Sequence, residues 1–91
     1  MAISSGVIKT ERISVKLHKE SSKVPAKVDN ALIQNVGVSD IRLSFDSAGR
    51  QEYFTLKAGK ELPVLNVQGA TTKINHQALV EDGRLEILYW G

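Results

Sequence analysis

The chain has no cysteine among its 91 residues. Disulfides, thiolate metal sites and cysteine nucleophiles are therefore excluded. It also lacks any apolar run near the roughly 18 residues that a membrane-spanning helix needs. The opening MAISSGVIKTER does not have the basic-then-apolar order of a secretion signal. These absences together read as a soluble chain made in a reducing cytoplasm. Aromatic residues are scarce, and all five (Phe45, Tyr53, Phe54, Tyr89 and Trp90) lie in the second half. The expected core is therefore mostly aliphatic. A net charge of +2 is too small to diagnose nucleic-acid binding.

What is present is alternation. A chain this short forms one domain and buries only about 60–65% of its unfolded surface. ISVKLH over 13–18 places Ile13, Val15 and Leu17 on one face and Ser14, Lys16 and His18 on the other. That is the period-two pattern of a half-buried strand, and it can begin as early as Val7. KESSKVPAKVDN (19–30) interrupts it and reads as a loop or irregular edge segment around Pro25. Further strands are expected over 31–37, 41–46, 53–56, 62–67, 71–79 and 84–90. The turns between them are DSAGRQE around Gly49, KAGK around Gly59, QGA, and the Asp-Gly turn EDG. Pro63 points to an edge strand or a strand start. About seven short strands with regular turn signals indicate an all-β fold, a small antiparallel β-sandwich or jelly-roll-like barrel. Residues 1–30 would be a basic N-terminal strand or arm with its loop, and 31–91 the sandwich core of the same domain.

No catalytic constellation is apparent. His18 and His76 lie in different strands, and no Gly-x-Ser-x-Gly elbow accompanies the serines. Neither histidine has a ligand-type residue at metal-binding spacing. DSAGRQE offers Asp46 and Glu52 but lacks alternating acidic ligands and carries Arg50, which repels a cation. The glycines are spaced as turns and do not cluster as a phosphate loop. The sequence thus points to a non-enzymatic chain without metal or cofactor.

Two surface features remain. Residues 1–30 hold six Lys or Arg against three acids, whereas 31–91 hold six against seven. The basic segment, with Lys9, Arg12, Lys16, Lys19 and Lys23, suits a docking arm on an acidic protein surface. It lacks the aromatic residues with which nucleic-acid binders stack bases. The closing segment LEILYWG is apolar on both sides. Leu85, Ile87 and Tyr89 share one face, and Leu88 and Trp90 share the other with Glu86. A sandwich strand needs one buried face, so the second is expected to meet another subunit, with Trp90 as its apolar anchor. Leu88, Tyr89 and Trp90 join the basic residues as candidate partner-binding positions.

NVGVSDIRLSFD, YFTLKAGKEL, TTKINHQAL and the terminal LEILYWG resemble a class of small all-β virion proteins of tailed bacteriophages. Asn35, Gly37, Leu56 and Gly59 carry the resemblance, which covers residues 31–91. It implies a structural role, foremost a capsid decoration or cement protein that stabilises the head lattice. Such a protein would be homo-oligomeric, contact the major capsid protein or other virion proteins, and reside in virions assembled in the host cytoplasm. Head–tail connectors and tail or fibre components are the alternatives under the same resemblance. A carbohydrate-binding β-sandwich module is a further alternative, with Tyr53, Tyr89 and Trp90 as the only aromatic platform.

Overall fold

The computed structural model describes residues 8–25, 28–47, 50–65 and 73–91. The described residues form eight strands: β1 (Ile8–Val15), β2 (Glu20–Lys23), β3 (Asn30–Asn35), β4 (Ile41–Ser47), β5 (Arg50–Leu56), β6 (Glu61–Leu65), β7 (Lys73–Ala78) and β8 (Gly83–Trp90). They form two four-stranded sheets, ordered β1-β8-β3-β6 and β2-β7-β4-β5. Every neighbouring pair is antiparallel. The all-β, two-sheet expectation is met. Consecutive strands mostly change sheet, and β4–β5 is the one pair adjacent both in sequence and in a sheet.

The segment 8–23, expected as a strand or arm with its loop, supplies an edge strand to each sheet. β1 pairs with β8 over its whole length, from Ile8 opposite Trp90 to Val15 opposite Gly83. β2, the strand absent from the sequence reading, pairs Glu20–Lys23 with β7. ESSK has no apolar alternation and is largely exposed, so composition alone reads it as loop; backbone pairing makes it a strand. Leu17 also departs from expectation. β1 ends at Val15, the chain bends, and Leu17 stands half-exposed. The seven-residue loop expected at 46–52 is shorter, because β4 runs to Ser47 and β5 resumes at Arg50. The QGA turn (68–70) lies outside the described residues.

Register fixes what each face carries, because residues opposite one another on adjacent strands project to the same side. Leu85, Ile87 and Tyr89 of β8 stand level with Asn35, Ile33 and Ala31 of β3, and all six are buried. The other sheet contributes Ile41 and Leu43 of β4, Leu56 of β5, and Ile74, His76 and Ala78 of β7. Phe45 and Phe54 meet edge to face at 5.5 Å beside this core. Removing one such side chain from water contributes about 1.5–3 kcal/mol, so the aliphatic rows dominate stability.

One end of the sandwich is tied together by side chains. Buried Asn35 donates from Nδ2 to the carbonyls of Ser39 and Leu56, each at 2.9 Å. Its Oδ1 accepts from the Gly37 amide at 3.2 Å. Ser39 Oγ accepts from the amides of Val80 and Glu81 at 3.1 and 3.3 Å. Asp40 Oδ1 accepts from Ala58 N at 3.0 Å. Three loops are thereby fixed to one another with their buried polar groups satisfied. Gly59, at φ +81°, takes the left-handed conformation that the KAGK turn calls for. At Gly37 the constraint is space, since a Cβ there would lie 2.8 Å from the Arg84 backbone nitrogen. Gly37→Ala is expected to destabilise the fold by about 1–3 kcal/mol in urea titration, because backbone must move to admit the methyl group; an unchanged midpoint would contradict this packing.

Candidate functional site

The interior carries a few polar groups. His76 is only 2% exposed, and its Nε2 lies 2.9 Å from the hydroxyl of Ser22 on the edge strand β2. Its Nδ1 has no partner among the described residues. Burial lowers the His76 pKa below the ordinary 6.5, opposed by the charge of Glu20 and by a backbone hydrogen bond. In the opposite sheet Tyr89 is fully enclosed and its hydroxyl is likewise unpartnered among the described residues. Burial pushes its pKa upward, reinforced by the charge of Glu11. Glu11 lies at the rim of the interior, 4.0 Å from Lys9.

These groups do not assemble into a reaction centre. The Ser22–His76 pair lacks a carboxylate hydrogen-bonded to Nδ1, the feature that orients a histidine for base catalysis. His18, the other histidine, is exposed beside Glu20 at 3.3 Å.

The basic residues expected to act together are dispersed. Lys9 sits at the interior rim. Arg12 lies on the outer face of the β1-β8-β3-β6 sheet, 3.4 Å from Glu86. Lys16 reaches Asp82 at 3.5 Å beside the fixed loops. Lys19 is exposed between β1 and β2, and Lys23 stands opposite Lys73 in the other sheet. Lys9 and Arg12 lie on β1 in one sheet and Lys23 on β2 in the other, so a one-dimensional run of lysines does not become one patch. Tyr89, also counted among the candidate contacts, faces inward and is covered on all sides.

Leu88 and Trp90 are different. They project from the outer face of β8, half-buried by their neighbours, and belong neither to the core nor to the apolar side chains packed against it. Cross-strand register places Leu32 beside Leu88 and Pro63 beside Leu32. The next row holds Trp90, Asn30 and Leu65, the last 74% exposed. A row toward the fixed loops is polar: Arg12, Glu86, Gln34 and Glu61. Leu32, Pro63 and Leu65 were not singled out by the sequence reading. Their signal was the outward phase of β3 and β6, which becomes meaningful once those strands are known to flank β8.

A second apolar surface crowns the fixed loops, with Leu17, Val36, Val38, Leu79 and Val80 exposed. It borders a cleft of about 340 Å³ whose charged lining is Lys16, Asp82 and Arg84. The cleft contains no histidine, and its lysine and aspartate pair with each other at 3.5 Å.

No protein-family model matches the chain, and neither does any curated protein. Solved structures do match in fold. One is Streptomyces albus HEPD with its substrate 2-hydroxyethylphosphonate and Fe(II) bound, at a TM-score of 0.67 and 12% identity, covering 90% of this chain and 17% of that one. Another is Fe(II)-HppE with the alternative substrate (S)-1-HPP, at a TM-score of 0.62 and 11% identity, covering 93% of this chain and 42% of that one. The chain thus spans less than half of either protein, and identity this low shows a shared fold alone.

These matches correct the virion reading. That reading rested on strand and turn spacing over residues 31–91, and the same spacing builds a sandwich whose solved counterparts are Fe(II)-bound, substrate-binding enzymes. Turn chemistry specifies chain reversal, and it carries no information about a capsid. The iron of those counterparts does not transfer either. Among the described residues no three His, Cys, Asp or Glu side chains converge as a metal site. The one interior histidine has its Nε2 on Ser22. The described residues do not fit an Fe(II) centre, and the shared fold does not make this chain an enzyme.

His76 has a consequence for acid stability. Its folded pKa lies below the 6.5 of the unfolded chain, so the unfolded state takes the proton first. Stability is fully present above pH 6.5 and falls as pH drops from there toward the lowered folded value. Urea midpoints should therefore fall between pH 7.5 and pH 5 in the parent, and His76→Gln should flatten that fall; equal losses in both proteins would show that another group controls the acid limb.

Proposed function

We propose that this chain is a non-catalytic binding module that associates with another protein through the outer face of its β1-β8-β3-β6 sheet. The observation that carries the reading is the register: Leu88, Leu32, Pro63, Trp90 and Leu65 fall in two adjacent rows of one sheet face. Leu88, Leu32 and Trp90 are half-buried and Pro63 and Leu65 exposed, and a contiguous apolar surface of this kind marks a site of association. A tryptophan at its margin and a row of polar groups alongside match the anatomy of interfaces, which pair an apolar centre with a polar rim.

The opposite outer face supports the choice by contrast. There Lys23 stands across from Lys73, Arg42 from Gln77 and Ser44 from Asn75, with Ser21 Oγ donating to Asn75 Oδ1 at 2.5 Å. Among the described side chains that face is polar: Lys23, Lys73 and Arg42 are exposed, and Ser44 and Asn75 are buried. Among the described residues the interior offers no converging acid, base and nucleophile. Association therefore accounts for a sheet face whose two apolar rows ordinary folding does not require.

Photo-crosslinking separates this reading from its competitors. A benzophenone side chain at position 88 or 32 should form protein adducts in cells producing the chain, while the same group at 42 or 55 on the other sheet should not. Adducts confined to the second pair, or none at either, would sink the reading, as would crosslinks to glycan or nucleic acid alone.

A further inference from the structure

The same sheet face has a symmetry of charge and shape that indicates its occupant. We infer that it seats a second copy of this chain, related by a two-fold axis running parallel to the strands between β8 and β3. The inference rests on the association reading above and names its partner.

A two-fold rotation about such an axis keeps each residue at its level along the strands and reverses the strand order. β8 then lies over the second copy's β3, and β1 over its β6. At the polar level the unrotated order is Arg12, Glu86, Gln34, Glu61. Rotation sets Arg12 over the second copy's Glu61 and Glu86 over its Gln34. Opposite charges meet on both flanks, because each copy carries its cation on the β1 side and an anion on the β6 side. One level along, Leu88 falls over the second copy's Leu32, and Thr10 over its Pro63. At the next level Trp90 falls over Asn30, whose amide offers a partner for the indole N–H. Leu88 thus meets Leu32 at the centre and opposite charges meet at the rim, the self-complementarity that an isologous interface requires.

The charged groups are available for this. Arg12 is widely exposed, and its contact with Glu86 at 3.4 Å uses one of the five guanidinium donors. Glu61 is exposed on the edge strand β6 and makes no ion pair among the described residues. An unrelated partner would not need cation and anion at equal level on opposite flanks; a second copy does.

Area sets the strength. Four strands about 4.8 Å apart and about 20 Å long give each copy a face of roughly 400 Å² in plan. Two such faces together give roughly 800 Å², below the about 1,000 Å² that stable specific interfaces clear and in the range of weak, transient contacts. The dimer is therefore weak and dissociates on dilution.

Sedimentation velocity of the full chain across a concentration series tests this. The parent should show a reversible monomer–dimer equilibrium. Glu61→Arg alone should weaken it by about tenfold or more, since it turns both flanking pairs repulsive. Arg12→Glu should do the same, and the double variant Arg12→Glu/Glu61→Arg should recover most of the association. Circular dichroism of each variant verifies the fold, and the exposed Glu61 position keeps the test usable if Arg12→Glu unfolds the β1 edge. A dimer indifferent to Glu61→Arg, or two weakening substitutions without recovery in a folded double variant, would overturn the inference. A parent that stays monomeric at every concentration, while position 88 crosslinks to a different protein, would overturn it too and leave the association reading standing.

Discussion

The fold depends on β8 being paired along both edges. β1 bonds to one side and β3 to the other, so the closing strand of the chain is an interior strand of its sheet. That position fixes its phase. With Leu85, Ile87 and Tyr89 committed to the core, a slip of one residue would bury Glu86 in their place. Glu86, Leu88 and Trp90 are consequently held outward with little freedom to turn. The pairing also ties the start of the chain to its end, and the other strands close around it. A long-range pairing of this kind must form across nearly the whole sequence, which places the fold among slowly forming topologies.

Much of the architecture was legible in the sequence because it follows from period-two alternation and turn chemistry. IRLSFD alternates cleanly and becomes β4. KAGK becomes a turn with Gly59 at positive φ, and Pro63 sits on an edge strand, where its missing N–H does no harm. β2 was not legible, since its strand character comes from pairing with β7 and not from any pattern in ESSK. The role of Asn35 was also hidden. The residue reads as part of the strand expected over 31–37, yet the side chain is buried and bonds to the backbone of Gly37, Ser39 and Leu56. A side chain's partners across 21 residues of sequence cannot be inferred from its neighbours.

The candidate surface was half legible. Leu88 and Trp90 stood out because a two-sided apolar strand is unusual in a sandwich. Leu32, Pro63 and Leu65 complete the surface only through strand order, and strand order is a property of topology. The lysines misled for the same reason. Their proximity in sequence suggested one basic arm, but β1 and β2 belong to different sheets and spread them over several faces. The virion reading failed further up the chain of inference, where a pattern that encodes fold was allowed to speak for function. The fold shared with Fe(II)-bound enzymes carries the same warning, because the described interior holds a histidine and a tyrosine without the converging ligands that a metal centre requires.

Trp90 offers the most direct test, because it is the only tryptophan and stands at the edge of the apolar face. If a second copy covers that face, the emission maximum should shift to longer wavelength as the protein is diluted through its dissociation range, and Leu88→Asp should show the long-wavelength emission at every concentration. Emission that stays constant over the whole range, with the Leu88→Asp spectrum identical to that of the parent, would contradict the account.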